Sequence, residues 1–235
     1  MHVRFFLFLL FYFSVESNKL FAQELEAVSL EIAPSFTRSA EYIGEIENPF
    51  AIAYGAGIHT WLKITNHFSL KTGIQYRVKA IELSMPDLTN LVDPSGNINY
   101  DNIGSIDSRS EYNYLGINFT GRYVFSKSPS PKAPFYLSLG LECSNLFWSK
   151  YKIEFAEGTQ HYSDQPEGVS INTSLSFSAG ILFKLSERIK LFVEPGYAYD
   201  FYAKDFYYEH DYIRFQSIQL TCGLSFLLKQ KTKPS

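Results

Sequence analysis

The chain is short of the residues that staple a small fold together. Only two cysteines, Cys143 and Cys222, occur in 235 residues, so no disulfide scaffold is available. The strand alternation described below puts both on outward faces of strands that are not neighbours. A bridge needs Cα atoms within about 7 Å, so free thiols are expected. Charge is scarce as well: 19% of residues are charged and the net is −3. That lacks the basic excess on which nucleic-acid affinity rests, and no nucleic-acid partner is expected. No apolar run reaches the roughly 20 residues a spanning helix needs. HExxH, paired Cys–His spacing and a phosphate-cradling glycine loop are all missing. No catalytic residue, metal site or cofactor is therefore predicted. Of the five histidines, His2 lies at the extreme N-terminus, His59 points into the barrel proposed below, His67 sits in a short turn, and His161 and His210 lie in loops. A lipid-hydrolysing barrel needs a His with a Ser and an acid at its outer rim. His210 beside Glu209 or Asp211 is no better than a chance loop arrangement.

What the chain does have is apolar and aromatic. Hydrophobic residues make up 46% and aromatic residues 17%, with 21 Phe and 17 Tyr, which excludes disorder. Tyr and Phe favour strands and sit well at a membrane–water boundary. The start reads as an export label: Arg4, an apolar run from Phe5 to Phe13, polar residues from Ser14, and Ala22 before Gln23. Residues 1–22 are read as a cleaved signal peptide, 23–228 as one domain and 229–235 as a basic tail. Without residues 1–22 the chain carries 19 basic and 23 acidic residues, a net of −4.

From about Leu25 the dominant period is two. Phe68, Leu70, Thr72, Ile74, Tyr76 and Val78 alternate with Ser69, Lys71, Gly73, Gln75, Arg77 and Lys79. One face is uncharged and the other polar, as a strand between two solvents requires. Seven further segments repeat the rule, beginning near Val28, Ile52, Leu115, Phe135, Ile171, Ile189 and Ile218. No apolar face contains a charge. The polar faces carry Glu31, Lys63, Lys71, Arg77, Lys79, Arg122, Glu142, Lys184, Lys190 and Glu194, with many glycines between them. A soluble sandwich would hide its apolar faces and present charge outward; small residues among the charges instead indicate a confined interior. About ten residues per strand matches a tilted crossing of the hydrocarbon layer.

Connection lengths point the same way. Segments around 65–67, 126–134 and 186–188 are short, while 38–49, 84–110, 150–169 and 200–212 are long. Short turns on one side and long loops on the other mark an outer-membrane barrel with both termini in the periplasm. Phe68, Tyr123, Phe125, Phe135, Phe183 and Phe226 fall near the short turns; Tyr54, Tyr76, Tyr114, Tyr197 and Tyr199 fall near the long loops. Two aromatic girdles are expected. The fold class predicted is all-β: a transmembrane eight-stranded antiparallel up-and-down β-barrel in the outer membrane of a Gram-negative envelope.

The stretches Tyr114-Leu115-Gly116-Ile117-Asn118-Phe119, Phe135-Tyr136-Leu137-Ser138-Leu139-Gly140 and Leu220-Thr221-Cys222-Gly223-Leu224-Ser225-Phe226 resemble the outer-membrane β-barrel family labelled PorT-like or porin-like. The resemblance covers the whole chain after residue 22 and rests on loose strand patterns. It implies an eight-stranded barrel, monomeric or complex-forming, in a family mostly without assigned activity. Some members serve as accessory parts of secretion machinery.

An eight-stranded barrel is only wide enough for side chains to fill it. Glu31, Lys71, Arg77, Arg122, Glu142, Lys184, Lys190 and Glu194 are therefore expected to form a salt-bridged lumen plug, because unpaired ions in a narrow interior are costly. The four long loops hold 15 acidic and five basic residues, an acidic outward face whose ordinary role is solvation and whose alternative is cation bridging to lipid phosphate. Tyr202, Phe206, Tyr207, Tyr208 and Tyr212 form a candidate loop contact surface for a partner or glycan; the equal alternative is that the last two strands extend above the membrane there as a hairpin. The expected partners are outer-membrane lipid and another envelope protein. The function expected is a structural or interaction role, accessory to an export or surface assembly. The alternatives are a small-solute or ion pathway and, behind it, a lipid-modifying enzyme.

Overall fold

Strands with one apolar and one polar face can satisfy both only by closing on themselves, and this chain does so. The structure, a computed structural model, describes residues 25–40, 49–87, 104–125, 134–155, 158–164, 170–205 and 214–228. Among the described residues ten strands run in order: β1 (Leu25–Ile32), β2 (Ser35–Ser39), β3 (Ala51–Lys63), β4 (Phe68–Asp87), β5 (Gly104–Phe125), β6 (Phe135–Phe155), β7 (Gly158–Asp164), β8 (Ser170–Lys184), β9 (Ile189–Asp205) and β10 (Phe215–Leu227). Both β1 and β2 pair antiparallel with β3 on one side and β10 on the other. They are one stave interrupted at Pro34, which has no N–H to donate. The ladder continues around it: Ala33 and Gly55 exchange bonds of 2.9 Å each way, and Leu220 donates to the Pro34 carbonyl at 3.0 Å. Each later barrel strand pairs antiparallel with the next, and β10 returns to β1 through Val28 opposite Phe226. Eight staves close the ring, and β7 is an addition paired to the upper part of β6.

The polarity of this ring is inverted relative to a water-soluble barrel. Ile32, Ile52, Ile58 and Ile74 are each at least 60% exposed, whereas Lys71, Arg122 and Glu194 are no more than 5% exposed. Burying apolar side chains is the main driving force of folding in water; an exterior of this composition instead suits hydrocarbon. The architecture is that of a transmembrane eight-stranded antiparallel up-and-down β-barrel. At the short-turn end Phe68, Tyr123, Phe125, Phe135, Phe183 and Phe226 are exposed on the outer wall. Tyr123, Phe125 and Phe135 form a contiguous band there, with ring centroids 4.9 and 5.8 Å apart. Near the long-loop end Tyr54, Tyr197 and Tyr199 are exposed. Tyr114, expected in that girdle, is buried in the lumen instead. It shares the parity of Gly116 and Asn118, so the alternation itself turns it inward.

The wall is not of even height. Strands β4, β5 and β6 have 20, 22 and 21 residues, against 13 for β3 and β10. Their upper parts, expected to be loops, are paired strands: β4 and β5 stay in register to Asp87 opposite Gly104, and β6 continues into its hairpin with β7. Pairing between β3 and β4 stops at Tyr54 opposite Val78. Beyond it β4 passes inside β3, so that Ala80 packs against Ala51 and Ala53, all three at most 1% exposed. Only methyl side chains permit that approach. The tall β4–β5 hairpin thereby leans over the barrel mouth.

Candidate functional site

The inward residues of β4 give a reading of the lumen from the short-turn end upward: Lys71, Gln75, Arg77, Lys79 and Ile81. Consecutive inward positions are about 7 Å apart along a strand, so Lys71 and Lys79 are separated by four such steps. Each cation on this strand meets a carboxylate from a different part of the ring.

The lowest of these contacts is a double one. Lys71 Nζ donates to both carboxylate oxygens of Glu31, at 3.0 and 2.9 Å. Ser29 Oγ donates to Glu31 at 3.2 Å, and Trp61 Nε1 donates to Ser29 Oγ at 3.1 Å. His59 Nδ1 lies 3.3 Å from the same carboxylate. The next level is Arg77, whose Nε stands 3.0 Å from Glu142 and whose Nη1 donates to Gln219 at 2.5 Å. Above it Lys79 donates to both oxygens of Asp200 at 2.8 Å and to Asn172 at 2.9 Å. Asn172 itself donates to Asp200 at 2.8 Å, and the backbone N–H of Phe215 does so at 3.2 Å.

A fourth cation, Arg122, is held mainly by aromatic faces. Its guanidinium carbon lies 3.6 Å from the Trp61 ring centroid and 4.0 Å from that of Tyr136. Cation–π attraction is strengthened where water is excluded. Glu194 sits 3.6 Å from Arg122 and accepts from Tyr136 Oη at 2.9 Å and from Ser178 Oγ. The four cations Lys71, Arg77, Lys79 and Arg122 thus each face one of the carboxylates Glu31, Glu142, Asp200 and Glu194.

Apolar layers close this column at both ends. Toward the short turns, Tyr136, Leu182 and Phe192 form a buried cluster with Val124 packed against it. Glycine makes that layer possible. A Cβ at Gly180 would lie 2.3 Å from the Tyr136 ring, and one at Gly223 would lie 2.4 Å from Phe192. Toward the long loops, Ile81, Tyr112, Tyr114, Leu146 and Phe215 form a second buried cluster, with Leu83 and Tyr151 against it. Tyr112 meets Phe215 edge-on at 5.5 Å. The upper layer is contributed in part by the hairpin that leans inward at Ala80.

Of the residues predicted for the lumen, Glu31, Lys71, Arg77, Arg122, Glu142 and Glu194 line this column. Lys184 and Lys190 do not. They stand opposite each other at the short-turn rim, below the apolar layer; Lys184 is exposed and Lys190 pairs with Glu26 at 3.5 Å. Their parity is inward and their place is near the short turns, but the Tyr136–Leu182–Phe192 layer parts them from the column. The Lys79–Asp200–Asn172 cluster is not among the sites the sequence predicts. Asp200 reads as loop because Tyr199, Phe201 and Tyr202 surround it, and a bulge between Thr173 and Ser174 shifts its register. The polar parity of Lys79 was the available signal. Phe206, Tyr207, Tyr208 and Tyr212, with the side chain of Tyr202, lie outside the described residues. Cys143 and Cys222 are free thiols.

No family model matches the chain, and no curated protein matches it. Among solved structures it is similar to Neisserial surface protein A, at 14% identity and a TM-score of 0.43, over 86% of this chain and 96% of that one. It is also similar to Ail, the attachment invasion locus protein of Yersinia pestis, at 14% identity and a TM-score of 0.36, over 87% and 99%. A third is the outer membrane protease OmpT from Escherichia coli, at 12% identity and a TM-score of 0.40, over 88% and 98%.

Proposed function

We propose that this chain is an integral outer-membrane β-barrel with a structural or interaction role, and that its lumen is a closed strut rather than a conduit. The observation that carries the reading is the column of four matched charge pairs sealed above and below by buried aromatic and aliphatic side chains. Such a column braces the wall from inside. A passage for solute would need a continuous wet path, and apolar constrictions oppose wetting. The exposed apolar belt and its aromatic rim support lipid as the surrounding partner.

The finer assignment, accessory to an export or surface assembly, rests on the PorT-like resemblance and on the tall β4–β7 wall, which offers a protein partner area beyond the membrane belt. A signal peptide at residues 1–22 is the route to that location. The deciding experiment is crosslinking in intact outer membranes, followed by purification and mass spectrometry of what remains attached. A stoichiometric envelope protein supports the assembly role. Recovery of the barrel with lipid alone removes it. Reconstitution in a planar bilayer tests the closed lumen: the expected record is flat, and reproducible single-channel steps would replace the strut with an ion pathway.

A further inference from the structure

We propose that the lumen contains a dedicated site for one water molecule, bound between His59 and Gln75, which joins the Glu31–Lys71 and Arg77–Glu142 pairs into one network. The site is a cavity with about 10 Å³ of room for a water centre, lined by Glu31, His59, Gln75, Arg77 and Thr221 among others. That is about the space one water requires. Two of the lining side chains, His59 at 1% exposure and Gln75 at 5%, carry buried nitrogens that no protein group satisfies.

The chemistry of those two nitrogens selects the ligand. Gln75 accepts from Arg77 Nη2 through Oε1 at 3.4 Å, which turns its Nε2 away as a free donor. His59 places Nδ1 3.3 Å from the Glu31 carboxylate, and its Nε2 has no protein partner. Two unpartnered side-chain nitrogens, Gln75 Nε2 and His59 Nε2, belong to side chains that line the same cavity. A metal cation would meet the Gln75 N–H head-on. Water both donates and accepts, so it serves the Gln75 N–H and either form of the His59 ring, and buried waters characteristically bridge such groups. Glycine makes room for the imidazole that borders the cavity: a Cβ at Gly57 would lie 2.4 Å from His59 Cε1 and 3.2 Å from Gln75 Cβ.

The test uses the full mature chain refolded in detergent. Water-oxygen magnetic relaxation dispersion should report a long-lived internal water, because apolar layers bar its exchange, and Gln75→Leu should remove that one contribution while the barrel keeps its heat-modifiable mobility. A crystal structure should show the water 2.7–3.2 Å from Gln75 Nε2 and His59 Nε2. If Gln75→Leu does not fold, His59→Phe provides the same subtraction. No long-lived water in the parent chain, an unchanged signal in the variants, or an anomalous bromide peak at the site after halide exchange would each overturn the proposal.

Discussion

The hydroxyl of Thr37 holds both backbone groups of Ala80: it donates to the carbonyl at 2.6 Å and accepts from the N–H at 2.9 Å, across 43 residues of sequence. This is where β4 abandons its ladder with β3, and one side chain replaces the two bonds that pairing would have supplied. Arg109 does the same for β3, donating from Nη2 to the Ile52 carbonyl at 2.9 Å. Thr37→Val keeps the shape and removes both bonds at a site 1% exposed. Leaving buried backbone groups unpaired costs about 1–3 kcal/mol each. The unfolding midpoint in urea should fall, and proteolysis of the β4–β5 hairpin should quicken. A midpoint equal to that of the parent would show that water reaches Ala80 and that the mouth is not closed there.

The Glu31–Lys71 pair should behave as a unit. Glu31→Gln or Lys71→Met alone strands a charge at a site under 9% exposed, and breaking such a pair costs about 3–5 kcal/mol. Removing both partners should cost less than the sum of the single changes. A double-mutant cycle on folding into lipid vesicles measures this coupling. Strict additivity would mean that each group is satisfied elsewhere.

Gly180→Ala should destabilise the lower apolar layer. The new methyl would stand 2.4 Å from Tyr136 Oη, so the ring must move and its bond to Glu194 must lengthen. Overpacking of this kind costs about 1–3 kcal/mol. A second change, Tyr136→Leu, removes the clash and should restore part of the loss. Absence of any such rescue would separate Gly180 from the Tyr136 layer.

Ile74→Lys distinguishes lipid from water outside the wall. Ile74 is 61% exposed, and in a water-soluble protein such a change is close to neutral. At the middle of a bilayer a lysine on the lipid face costs about 2–4 kcal/mol. Folding yield and unfolding free energy in vesicles should drop accordingly. Lys184→Gln, at the rim, should change stability by less than about 0.5 kcal/mol.

How far the sequence was legible depends on what a period of two can report. It separated Ile74 from Lys71 and Leu141 from Glu142, and with them the two faces of the wall. Position along the strand puts Lys190 nearer the periplasmic end than Glu194, two inward steps away, but does not foretell the apolar layer that parts them. It also could not foresee that β4 crosses inside β3, because that crossing depends on Ala51, Ala53 and Ala80 meeting from distant segments. The cluster of Ile81, Tyr112, Tyr114, Leu146 and Phe215 is a product of the same lean. Asp200 was hidden by its aromatic neighbours, although its partner Lys79 was on the polar face from the start.

The charge pairs of the lumen also set terms for assembly. Lys79 and Asp200 are 121 residues apart, and Arg77 lies 142 residues from its neutral hydrogen-bond partner Gln219. A partial sheet of the first four or five strands would carry Lys71, Arg77, Lys79 and Arg122 with only some of their counter-ions. It could not enter hydrocarbon without dragging bare charge with it. The expected outcome is that the strand carrying Glu194 and Asp200 must join the sheet before the first strands enter the bilayer, and that a chain truncated before Asp200 stalls at the membrane surface.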